Sequence, residues 1–196
     1  MYARKILFGI LSLGVMMTTY SCKSTPESTE IATETSDGET YFSIIGYMKD
    51  QYEFLKGQPY VFDKIITLDG QTDSNQVGIM DIEWAEVIKP FADADISNPK
   101  FLGKYDFDQF VDNDLEVGNI MYTAKDKNEF MQRMNITYNI YSNKVESIYI
   151  ETLKGNRMYT QEQKLTYMVG QQITINNYEK SIGSKARMLE VKYIFK

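Results

Sequence analysis

Every second residue of Met134-Asn135-Ile136-Thr137-Tyr138-Asn139-Ile140 is apolar, and this alternation constrains the fold more than any other feature of the chain. A period of two puts the apolar side chains on one face of a strand, which predicts an antiparallel sheet with one buried face. β-Branched and aromatic residues mark Asn119–Ala124, Met131–Tyr141, Lys144–Thr152, Arg157–Thr160, Leu165–Ile175 and Arg187–Phe195 as strands. Ser142-Asn143 and Gly155-Asn156 are tight-turn pairs, so neighbouring strands are expected to pair antiparallel.

The earlier part of the chain has helical periodicity instead. Ser36 and Glu39 fit a capping box, and Tyr41, Ile44, Ile45, Met48, Tyr52 and Leu55 then recur at three- and four-residue steps before Gly57 and Pro59. A second helix is expected from Asp73 or Ser74, with Val77, Met80, Trp84, Val87, Ile88 and Phe91 on one face and Pro90 in its last turn. Trp84 reads as the main helix-to-sheet anchor. Between the helices, Tyr60 to Leu68 reads as a short strand ended by Asp69-Gly70. Helices first and strands later predict an α+β fold, with two N-terminal amphipathic helices packed on an antiparallel sheet of about five or six strands. That order loosely resembles small envelope lipoproteins such as the assembly-machinery subunit BamE, and the sheet-and-helix unit of β-lactamase-inhibitor proteins. Both resemblances are architectural and imply no site.

Three segments are expected: residues 1–21, 22–39 and a single folded domain over 40–196. Arg4 and Lys5 precede an apolar run from Ile6 to Met17, too short for a membrane span of roughly 20 residues but fitting a secretion signal. The finish Ser21-Cys22 resembles the lipobox of bacterial lipoproteins, with Thr19 and Tyr20 in the looser form that Bacteroidota proteins resemble. The resemblance implies cleavage before Cys22, acylation of its sulfur, and residence in the cell envelope, at the outer membrane. It also gives the only cysteine a use, since a lone thiol in an exported protein has no disulfide partner. Residues 23–39, rich in Ser, Thr and Glu, are expected to form a disordered tether.

Charge narrows the partners. Of 21 basic residues, Arg4 and Lys5 leave with the signal, so 19 face 27 acidic ones, about −8. No basic stripe exists to neutralise phosphates, which argues against nucleic acid. Anionic headgroups repel such a chain, so its contact with the membrane is expected through the lipid anchor.

Chemistry is sparse. The chain has no histidine, which removes the commonest general base and the commonest transition-metal ligand. No nucleophile elbow, phosphate loop or dinucleotide fingerprint is present, and neither a cofactor nor catalysis is expected. Asp106, Asp108, Asp112, Asp114 and Glu116 form the densest acidic stretch. Its second half resembles the start of an EF-hand loop, but Gly118 comes one place late and Thr123 stands at position twelve. A calcium site built from several loops stays open beside a plainer reading, in which Asp106 and Asp108 face water while Phe107 faces inward. Asp93 and Asp95 follow the second helix, where carboxylates oppose its dipole, and Asp95 is expected to accept backbone hydrogen bonds in a tight loop. Met80, Met131, Met134, Met158, Met168 and Met188 read as gap-filling core.

Tyr138, Tyr149, Tyr159 and Tyr167 are the candidate binding residues, because strand tyrosines on a solvent-facing side form a platform for a sugar or a protein. The competing reading is ordinary half-buried sheet packing. The function expected is a non-enzymatic binding or scaffolding domain with an envelope protein as partner. A carrier holding an apolar ligand between helices and sheet, and a carboxylate-only hydrolase, are the alternatives.

Overall fold

The structure, a computed structural model, describes residues 40–196. Cys22, the signal segment, the tether and the Ser36–Glu39 capping box lie outside the described residues.

A single antiparallel sheet of nine strands dominates: β1 (Val61–Leu68), β2 (Gln71–Gly78), β3 (Tyr105–Asp112), β4 (Val117–Ala124), β5 (Met131–Asn139), β6 (Val145–Gly155), β7 (Tyr159–Met168), β8 (Gln172–Ser181) and β9 (Arg187–Phe195). Their order is β2-β1-β9-β8-β7-β6-β5-β4-β3. Two helices accompany it, α1 (Ile44–Leu55) and α2 (Trp84–Asp93). The expected α+β arrangement of two N-terminal helices on five or six strands is therefore corrected. The described residues are mostly sheet, and the β1–β2 hairpin stands between the helices in the chain.

The topology explains where the helices lie. β3 to β9 form a meander of hairpins, and β9 then pairs with β1. β2 and β3 are consecutive strands at opposite edges, so the segment joining them has to travel the width of the sheet, and α2 is part of that crossing. Both helices touch the same face. Tyr47 of α1 packs edge-on against Tyr167, and Trp84 of α2 packs against Phe62. Cross-strand register puts Phe62, Tyr193, Ile173, Tyr167, Ile148 and Ile136 on this covered face, and all six are buried. Each large apolar side chain so enclosed contributes roughly 1.5–3 kcal/mol.

Local chemistry sets the boundaries. Ser43 caps α1 by accepting from the Gly46 N–H at 3.2 Å. Asp95 reaches across to the same helix start, its Oδ2 accepting from the Ile45 N–H at 2.8 Å while Oδ1 accepts from the Ser97 N–H at 2.7 Å. The expected loop role of Asp95 thus extends to tying α1 to the segment after α2. Asp93, at the unfavourable end of α2, is offset by Lys89 one turn earlier at 2.8 Å.

Several elements differ from expectation. The helix expected from Asp73 or Ser74 begins only at Trp84, because residues 71–78 pair with β1 through a two-residue turn. Asp69 (φ 49°) and Gly70 (φ 86°) both adopt left-handed backbone there, the hallmark of an Asp-Gly hairpin. The expected strand Leu165–Ile175 is two strands, folded back at Gly170 (φ 67°). Met80, Met158 and Met188 are on the surface rather than in the core, while Met131 and Met134 are buried. Met80 falls in a short 3-10 turn and Met158 in the β6–β7 turn, where helical or strand periodicity does not apply.

Candidate functional site

The four candidate tyrosines do not form one platform. Tyr138 and Tyr167 lie on the covered face and are buried. Tyr167 donates to Gln51 Oε1 of α1 at 3.1 Å, joining helix to sheet. Tyr138 lies over Gly118 so closely that a Cβ there would sit 2.1 Å from its ring, and its hydroxyl accepts from Gln109 Nε2 at 2.7 Å. It is a brace across β5, β4 and β3, in which an aromatic ring fills the space that a glycine leaves open. Tyr149 is on the opposite face, and Tyr159 sits at the start of β7 on the covered side.

The opposite face carries no helix, and its residues run from half-buried to exposed, except Thr174 of β8, which is buried. Its best-defined polar cluster is Arg133, Tyr149 and Glu151. The Tyr149 hydroxyl donates to Glu151 Oε1 at 2.6 Å, Arg133 reaches the same oxygen at 2.9 Å, and the guanidinium stands 5.9 Å from the Tyr149 ring centre. Burial alone would raise the Glu151 carboxyl, but hydrogen bonds from Tyr149 and Arg133, with the charges of Arg133 and Lys164, hold it below the usual range. Burial, and then donation to Glu151, push the Tyr149 hydroxyl upward. These shifts favour the ionised Glu151 carboxylate and the neutral Tyr149 hydroxyl, leaving Arg133 and Glu151 as an ion pair.

The space between helices and sheet is occupied by side chains, with Ile44, Met48, Phe62, Phe91, Ile148 and Ile150 almost wholly enclosed. Hollows occur at the surface. One of about 240 Å³ lies between Lys64, Tyr193 and the acids Asp81, Glu83 and Glu86. Another of about 130 Å³ lies beside Leu68, Glu179 and Arg187.

The acidic stretch is an edge strand and its turn rather than a loop. Asp106, Asp108 and Asp112 lie on the helix-free side of β3, which pairs only with β4. Asp112 Oδ1 accepts from the Asp114 and Leu115 N–H groups, closing the turn into β4, and Glu116 (φ 58°) completes it. Among the described residues no group of three or more acidic side chains converges as a metal cage would require. Phe107 points to the covered side against Tyr122, as expected, with Asp106 and Asp108 on the other side, yet its ring stays half-exposed. Phe110 and Val111 of β3 and Leu115 of the turn are exposed as well, at 51%, 49% and 70%, with Phe107 at 48%. This partly apolar edge is a surface feature that sequence reasoning missed. The alternation Tyr105, Phe107, Gln109, Val111 was its signal, masked by the acids between.

No family model, curated protein or solved structure matches this chain. No helix among the described residues is long and apolar enough to cross a membrane.

Proposed function

We propose that this chain is a lipid-anchored protein of the cell envelope, at the outer membrane, whose folded part is a non-enzymatic binding domain for another envelope protein. The single observation that carries the reading is one-sided cover. The helices occupy one face of a nine-stranded sheet, and the other face and two strand edges are left to meet a partner. The filled space between helices and sheet supports this over a carrier of apolar ligands, which needs a cavity of several hundred Å³ there. The fixed charges of Arg133 and Glu151 suit recognition better than proton transfer. Cys22 is the proposed attachment point, its acyl chains giving stable membrane residence.

Cross-linking in the native envelope, beside a Cys22→Ala control, tests the reading. A discrete protein captured by the anchored chain and lost in the control is the expected result. Capture of no protein, with lipid co-purifying instead, would overturn it in favour of the carrier.

A further inference from the structure

The two edges of the sheet are the places where its backbone hydrogen bonds run out. In an edge strand alternate residues turn N–H and C=O away from the neighbouring strand, and an unpaired row of this kind is a template for another strand. β3 has β4 as its only strand partner, and past its start, where the Tyr105 C=O accepts from the Tyr41 hydroxyl at 3.4 Å, the row runs along Phe107, Gln109 and Val111. Its side chains add two sided signals. On the helix-free side stand Asp106, Asp108 and Asp112 with Phe110 among them, and on the other side stand the half-exposed Phe107 and Val111. One ion pair reaches this row, Lys125 to Asp106 at 3.6 Å.

We infer that β3 is a docking edge for an extended segment of a partner protein in which basic and apolar residues alternate. The inference rests on the binding-domain reading and names the partner chemistry. A strand added to β3 places its own alternate side chains opposite the two sides of β3. Lys or Arg on one side meets Asp106, Asp108 and Asp112, and Val, Ile or Leu on the other meets Phe107 and Val111. Backbone bonding supplies the affinity, and the charge row supplies register and choice of partner.

Charge also decides against other occupants. An antiparallel symmetric pair of two copies through β3 keeps the same face upward in both, so the two rows of Asp106, Asp108 and Asp112 would lie side by side, and like charges facing across strands are destabilising. Residues 23–39 of this chain carry Glu27, Glu30, Glu34, Asp37 and Glu39 against Lys23 alone, so they have the wrong sign. An extended basic segment from another protein remains.

The test uses the full chain in nonionic detergent and a labelled peptide of roughly ten residues, the length of a long strand, alternating Lys and Val. Its controls are micelles alone, an isomer with the lysines and valines in two blocks, and the alternating peptide with every second backbone nitrogen methylated. The expected result is saturable binding of the alternating peptide, at least about tenfold weaker for both altered peptides, with slowed amide exchange in β3 and no slowing in β2. Asp108→Lys should weaken binding about fivefold at low salt, and Asp73→Lys, the same charge change on the β2 edge, should leave it unchanged. Equal binding of the two isomers, equal loss in the two variants, or protection confined to the helix-free face would overturn the inference. Failure here alongside a partner still captured in the envelope removes the β3 edge alone. Loss of that capture removes the binding-domain reading itself.

Discussion

β2 and β3 are both eight residues long and both close an end of the same sheet, yet they finish it in opposite ways. β2 presents Thr72, Asp73, Ser74, Asn75 and Gln76 to water, with side-chain contacts directed back to β1: Gln76 to Asp63 at 3.0 Å and Thr72 to Thr67 at 3.0 Å. Its edge is blunted by polarity, the usual protection against unwanted pairing. β3 instead leaves Phe107, Phe110 and Val111 exposed and sets carboxylates between them. An apolar edge left bare is an aggregation hazard, and one carrying a row of a single charge excludes copies of itself while admitting a strand of opposite charge. The comparison teaches that an edge can be closed to every strand or opened to one kind.

The largest expected effect comes from removing what holds β3 in place. Gly118→Ala drives a methyl group into the Tyr138 ring, displaces the hydroxyl that Gln109 grips, and should cost about 3 kcal/mol in denaturant unfolding. Amides of β3 should then exchange faster while those of β2 are unaffected. A similar loss at both edges would show that the brace serves the sheet as a whole.

Next comes the tie that leads into β3. Asp95→Ala leaves the Ile45 and Ser97 N–H groups without their acceptor and should cost about 2 kcal/mol, read as a fall in Tm. At the start of β2 the comparable tie is made by Asp69, whose Oδ1 accepts from the Met188 N–H at 2.8 Å, whereas Asp73 accepts only from the adjacent Ser74 N–H, so Asp73→Ala should be silent within about 0.5 kcal/mol.

Alkaline pH adds a further test, because the covered face carries buried tyrosines, of which Tyr105 and Tyr122 lie at its β3 end. Burial, and then the charge of Glu129, push the Tyr105 hydroxyl from its ordinary 10 up to about 12, and Tyr47, Tyr122 and Tyr167 are raised as well by burial. A group whose folded value lies above its unfolded value supports the fold fully below pH 10, and loses that support as pH climbs to 12. Unfolding free energy should therefore hold level from pH 7 to 9 with respect to these groups and fall from about pH 10 upward. The Tyr105 hydroxyl is buried without a hydrogen-bond partner among the described residues, so Tyr105→Phe should be neutral or stabilising by about 1 kcal/mol and should soften the alkaline fall. A destabilised Tyr105→Phe would mean that the hydroxyl does have a partner.

The smallest effect on stability, within about 0.5 kcal/mol, is expected when the β2 edge is made to resemble β3 without its acids. Ser74→Phe with Asn75→Val should leave the melting curve nearly unchanged, yet sedimentation should reveal self-association that the parent chain does not show. If the variant stays as monodisperse as the parent, apolar side chains are not what distinguishes the two edges.

The same edges account for what was legible in advance. Central strands announce themselves because one of their faces is buried, and Met134, Ile136 and Tyr138 alternate for that reason, all three being buried. β2 and β3, absent from the sequence-based strands, are the two edges. β2 has so little to bury that its residues carry no period, and a run from Val77 to Phe91 imitated a helix through it. β3 is apolar on alternate residues but acidic between them, which reads as a solvated loop. Tyr138 and Tyr167 are buried, in keeping with sheet packing rather than a solvent-facing platform, and the sequence offers both readings because a tyrosine in a strand has the same sequence whether its ring covers a glycine or meets a ligand.

By itself, the amino-acid sequence determined the charge balance, the lack of histidine, the single Cys22, the alternation of the central strands and the helical spacing from Ile44 to Leu55. These are local or additive properties, and neighbours along the chain suffice to set them. The tertiary structure decided the number of strands, which of them stand at the edges, which face the helices cover and where each tyrosine points. Those depend on pairing between distant residues, such as Phe62 with Phe195, and no local pattern encodes which strand will be left without a second neighbour.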